Sequence, residues 1–244
     1  MRATRSAHSL TPVVWVGFIA LLIGGVGPAI GRATHIDNFG TSVDGFRTAV
    51  FSALGVTDPK AAERPAEIDR VDGSFGAKPR TTLLHVLGGA FFFLFLPLQF
   101  SRRLRANHPA VHRWSGRVLL LIGVSAALSG LYFGVLRPYA GPAEAIVVAL
   151  FGMFFLVAAT RAWLAIRSGD SRTHREWMLR AVAVALGIAT VRYIALPLDL
   201  ALTLMGIGPR TGFVIAISFG WTLTLATTEW WIRATRRSPR EIPA

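Results

Sequence analysis

Six apolar runs, each long enough to cross a bilayer, leave this chain little choice of fold. They lie at Pro12–Ile30, Thr82–Phe100, Trp114–Leu136, Glu144–Ile166, Trp177–Leu198 and Gly212–Ile232. A hydrocarbon core of ~30 Å takes roughly 20 helical residues. Within it each backbone N–H and C=O must be satisfied by the chain itself, so such runs become helices. Charged residues are only 16% of the sequence, well below the roughly 25% of soluble domains, and most of them stand between the runs. The expected fold is all-α: a polytopic transmembrane helix bundle with six spans.

The formal net charge of +13 raises the question of a nucleic-acid partner. Its distribution answers against one. Residues 1–11, 101–117, 167–180 and 233–244 hold fifteen arginines and only three acids, Asp170, Glu176 and Glu241. Alternation of the spans puts all four segments on one face. The positive-inside rule makes that face cytoplasmic, so both termini are expected inside, in a bacterial cytoplasmic (inner) membrane. Trp114, Trp177, Trp230 and Trp231 fall at the same boundary, where aromatic side chains gather. The implied partners are the lipid bilayer and, on the cytoplasmic face, anionic headgroups; no nucleic acid is expected. With no cysteine in the chain, disulfides and thiolate metal sites are excluded.

The chain divides into residues 1–30, a tail and first span; 31–80, an extracytoplasmic loop; 81–232, a five-helix membrane domain; and 233–244, a basic tail. The first span also has the layout of a signal peptide, with a basic start and an apolar stretch, although no clean Ala-x-Ala follows. In the loop, Val43 to Leu54 is amphipathic and predicts a short helix. The Pro-, Asp- and Gly-rich stretch Asp58 to Pro79 predicts irregular structure. Thr173 and Glu176 have capping-box spacing for the fifth span. His112-Arg-Trp114 and His174-Arg-Glu-Trp177 form a weak internal echo, each opening an odd-numbered span.

Several of these segments resemble one family. Leu84-His85 opens the second span and Leu96-Pro-Leu-Gln-Phe100 closes it. His112-Arg-Trp-Ser-Gly-Arg117 follows, then Arg167-Ser-Gly-Asp170 and His174-Arg-Glu-Trp-Met-Leu-Arg180, with Arg192 and Glu229 beyond. Over about residues 80–232 this pattern is similar to the DUF2306 group of multi-span bacterial membrane proteins. The resemblance implies a membrane protein and brings no activity with it.

The residues themselves offer two chemistries. His112 and His174 lie six or seven residues before apolar stretches that start on the same side, about 10 Å of helix in each case. Histidines at one depth on separate helices can supply both axial ligands of a b-type haem. His85 and His35, both near the outer face, could supply a second pair. The arrangement looks like that of a cytochrome b561-type electron carrier. It departs from that pattern in placing the inner histidines at the interface and in having no histidine in the fourth span. The competing structural role is a headgroup anchor, with side chains lying along the interface.

The second chemistry centres on Arg192, within the outer half of the fifth span. A charge at that depth should face the bundle and find a partner, and Asp199, Glu144 and His85 are the expected partners. Glu229 and Arg161 could pair near the inner side. With Arg192 as its cation, such an intramembrane polar site fits a small transporter or a lipid-interacting protein; an accessory structural subunit would need no site. No set of residues has the pattern of a metal centre.

Overall fold

The computed structural model describes residues 11–36 and 38–236. Among them are nine α-helices and one 3-10 turn, with no strand. In chain order these are α1 (Thr11–Thr34), α2 (Phe39–Ala53), the turn Ala61–Glu63, α3 (Arg64–Gly76), α4 (Pro79–Phe100), α5 (Arg102–Asn107), α6 (Pro109–Leu136), α7 (Pro142–Arg167), α8 (Ser171–Leu204) and α9 (Pro209–Thr235). Six of them, α1, α4, α6, α7, α8 and α9, are long and apolar enough to cross a membrane. The all-α six-span expectation is met.

The helix boundaries follow local chemistry. Proline stands in the first turn of α3, α4, α6, α7 and α9, where its missing N–H is not needed. The α8 start differs from the expected capping box. Asp170 is the cap, its carboxylate accepting from the Thr173 N–H at 2.9 Å, while Glu176 pairs with Arg236 instead. At the far ends of α7 and α8 the chain turns through Gly169 (φ 83°) and Gly206 (φ 74°). The N–H groups of Gly169 and Asp170 return to Ile166 and Ala165, and those of Gly206 and Ile207 to Thr203 and Leu202. This closure needs a residue in the left-handed region, which glycine enters without penalty.

The helices are packed in a circuit: α1 on α4, α4 on α6, α6 on α7, α7 on α8, and α8 back on α1. The sixth span, α9, lies outside the circuit against α8 and α7. Of the six spans α8 is the most buried, packed between α7, α9 and α1. The middle of the circuit is filled by Leu22, Phe92, Phe93, Leu96, Leu119 and Leu186, which come from α1, α4, α6 and α8. Outward faces are apolar too, with Leu121 and Ile146 each 69% exposed. Lipid solvates such a surface as readily as a protein core would.

Between α1 and α4, α2 and α3 form a cap over one end of the bundle; the arginine-rich connections lie at the opposite end. The amphipathic helix of the loop is present and begins earlier than expected, at Phe39. The stretch expected to be irregular is mostly helical, forming the 3-10 turn and α3. Its order comes from tertiary contacts. Arg32 of α1 pairs with Asp72, Arg210 of α9 pairs with Glu67 at 2.7 Å, and the Thr82 hydroxyl donates to the Phe75 carbonyl at 2.7 Å.

Candidate functional site

The arginine-rich end gathers most of the chemistry. His174, in the first turn of α8, has its Nδ1 2.9 Å from the Ala162 carbonyl oxygen of α7. A carbonyl only accepts, so Nδ1 carries the proton and the Nε2 lone pair is left for another partner. His112 stands in the first turn of α6, at the same end of the bundle. Its Nδ1 is buried and has no hydrogen-bond partner, the one such side-chain atom found among the described residues. One turn beyond His174, the Trp177 indole carries two guanidiniums, Arg180 at 4.8 Å and Arg161 at 5.5 Å from the ring centroid.

Glu229 was expected to meet Arg161 and meets Arg180 instead. Arg180 donates through Nε at 2.5 Å and Nη2 at 3.1 Å to the two Glu229 oxygens, joining α8 to α9. Both halves of the sequence motif that frames α5 also touch. Gln99 at the end of α4 donates to the Ser115 hydroxyl at 2.8 Å, and a Cβ on Gly116 would come within 3.0 Å of the Gln99 side-chain oxygen. An added methyl there would press on the Gln99 amide and push that side chain aside.

His85 lies apart from the other two histidines, nearer the cap. Its Nδ1 is 2.8 Å from the Ala126 carbonyl of α6, so it too holds a proton on Nδ1 and leaves Nε2 free. The ring rests over Gly130, where an added Cβ would be 2.9 Å from Cε1, and meets the edge of Phe133. His35 contacts the Thr34 hydroxyl at 2.9 Å and joins none of these histidines.

The two acids expected beside Arg192 are engaged elsewhere. Asp199 is taken by the cap, accepting from Arg47 at 2.5 Å and from Arg64 at 3.2 Å. Glu144 is buried and turns back to the connection before its own helix, accepting from the Ala140 N–H at 2.6 Å. Arg192 donates through one nitrogen, Nη1, to the carbonyls of Gly24 at 2.9 Å and Gly25 at 3.0 Å. The reason lies in α1. Pro28 has no N–H, so the Gly24 carbonyl four residues earlier loses its intrahelical donor, and Arg192 supplies one from α8.

Two groupings were not foreseen in the sequence. Arg47 and Arg64, with Asp58 and Asp199, clamp the cap to α8; the seven Lys/Arg and seven Asp/Glu of residues 31–80 are the only hint of it in the sequence. Arg180 lies within a motif already singled out, yet nothing in its spacing pointed across to Glu229. Among the described residues no three metal-ligating side chains converge.

A family model described as a predicted membrane protein (DUF2306) matches residues 82–232, from the start of α4 almost to the end of α9. The search of curated proteins and the search of solved structures found no match.

Proposed function

The chain belongs to the DUF2306 family of predicted membrane proteins, and from that premise we propose that it binds a b-type haem and carries out a redox-linked task in the membrane. His112 and His174 are the proposed axial ligands, with His85 a ligand candidate nearer the cap. The observation that carries this reading is the state of the two rings at the arginine-rich end. His174 is oriented by a carbonyl on Nδ1, as ligating histidines generally are, which leaves Nε2 to bind. His112, at the same end of the bundle, keeps a buried nitrogen without a partner, and such atoms call for an explanation. Bis-histidine haem needs only two protein ligands.

Haem bound there would supply one-electron carriage. The chain's own contribution is to fix the His174 tautomer through Ala162 and to surround the site with arginine charge. The arginine-rich end is proposed to face the cytoplasm of a bacterial cell, on the positive-inside rule. The test is an absorption spectrum of the detergent-purified protein after haem-replete expression. A Soret band that is lost in His174→Ala and in His112→Ala is expected; no band in the wild type overturns the assignment.

A further inference from the structure

We propose that Arg192 is the anchor of a membrane-embedded site for a carboxylate carried by an amphiphile. The guanidinium lies twelve residues from Leu204, about 18 Å along α8, and Gly24 lies ten residues from Thr34, about 15 Å along α1. Both positions are deep within the spans. Among the described residues Arg192 makes no ion pair. The acids that could have neutralised it are engaged: Asp199 with Arg47 and Arg64, and Glu144 with the Ala140 N–H.

The fork is only partly used. Nη1 holds the two α1 carbonyls, which leaves the Nε and Nη2 donors, and Arg192 is exposed at the surface of the bundle. Its neighbour Tyr193 is also exposed, and its hydroxyl donates to the Ala20 carbonyl of α1. Two polar side chains therefore bind α1 on the side open to lipid. A cation at this depth is costly unless it meets an anion. Two parallel N–H donors on one planar group match a carboxylate. A ligand reaching them through hydrocarbon must bring its own apolar tail.

His174 lies eighteen residues from Arg192 in the same helix, about 27 Å, beyond the reach of a propionate on haem held there, so the carboxylate is that of a free long-chain acid. The experiment uses the full chain in detergent, prepared without haem, with palmitate as probe and its methyl ester as control. Palmitate is expected to raise the thermal midpoint of the wild type, and the ester to do nothing. In Arg192→Gln the half-effective palmitate concentration should rise about tenfold or more, as for loss of a charge-assisted hydrogen bond. Equal protection by acid and ester, or protection undiminished in Arg192→Gln, overturns the site.

Arg192→Gln could fail to fold because the Gly24 carbonyl is then orphaned. The double variant Pro28→Ala/Arg192→Gln returns an intrahelical donor to that carbonyl and must still lose the palmitate effect. The palmitate arm contains no haem, so failure of the haem assignment leaves its outcome readable.

Discussion

Arg47 in the cap and Asp199 in α8 stand 152 residues apart in the chain and meet in a hydrogen bond of 2.5 Å. Arg47 is buried, stacked 3.9 Å above the Phe51 ring, and holds Asp58 with its other arm. Arg64 contacts the same two carboxylates. Two cations and two anions thus fasten the cap to the longest span.

Removing one anion from that clamp should loosen the cap without disturbing the spans. Asp199→Asn leaves Arg47 and Arg64 sharing Asp58, and costs about 1–3 kcal/mol, since Asp199 is only partly buried. Hydrogen exchange of the amides in α2 is the measurement. Faster exchange there with unchanged α6 and α7 is expected; unchanged α2 would show that other contacts hold the cap.

The cap should also respond to acid and to strong base. A hydrogen bond from Arg210 is the main cause holding the Glu67 carboxyl below its ordinary value of 4.5. Burial works against the Asp58 carboxylate, but the Lys60 N–H, Arg47 and Arg64 together hold its pKa down. A lowered folded-state pKa means stability that is present above the unfolded value and lost as pH falls through the folded one. The Tyr139 hydroxyl is pushed up to about 12 by burial and by Glu67. Its contribution is present below the ordinary tyrosine value, about 10, and lost as pH rises towards 12. Thermal midpoints across pH should therefore fall at both extremes. In Glu67→Gln the alkaline limb should weaken, because the charge opposing Tyr139 ionisation is gone.

At the opposite end, Glu229→Gln should destabilise the α8–α9 contact by about 1–3 kcal/mol by leaving Arg180 unpaired. The exchange Arg180→Glu/Glu229→Arg should recover part of that loss. Because Arg180 lies over Trp177, a change in tryptophan emission should accompany the single substitution. No recovery in the exchange would mean that the orientation of the pair, and not its charge alone, is required.

Glycine substitutions should separate close helix contact from mere flexibility. A Cβ on Gly187 would overlap the Trp221 indole, whose N–H donates to the Val184 carbonyl at 2.9 Å. Gly187→Ala should cost about 1–3 kcal/mol through overpacking. Gly89 in α4 has nothing within 4 Å of an added Cβ, and Gly89→Ala should be neutral or favourable by up to about 1 kcal/mol through helix propensity. Thermal unfolding of both variants in one detergent compares them directly; equal effects would contradict the α8–α9 packing.

The family motif shows why parts of the site were visible before the fold was known. His112, His174, Trp177 and Glu229 stand out as polar residues at the edges of apolar runs, because lipid tolerates few of them. Their partners do not stand out. Arg180 is one arginine among many at that end, and the Ala162 carbonyl that orients His174 has no side-chain signature. The helical order of residues 64–76 was hidden for a related reason. The segment has no apolar periodicity, and Arg32 and Arg210 hold it from distant spans.

What the sequence determined by itself is the six-span helical bundle and the gathering of arginine at one end. Both are consequences of solvent: hydrocarbon forces each span to satisfy its own backbone, and charge collects where water begins. The tertiary structure decided which charge meets which. It drew Asp199 to the cap, gave Glu229 to Arg180, and set Arg192 against the carbonyl that Pro28 had left without a donor. Such pairings depend on which helices are neighbours and at what height. That is fixed by side-chain packing among α1, α4, α6, α7 and α8, and spacing along the chain does not encode it.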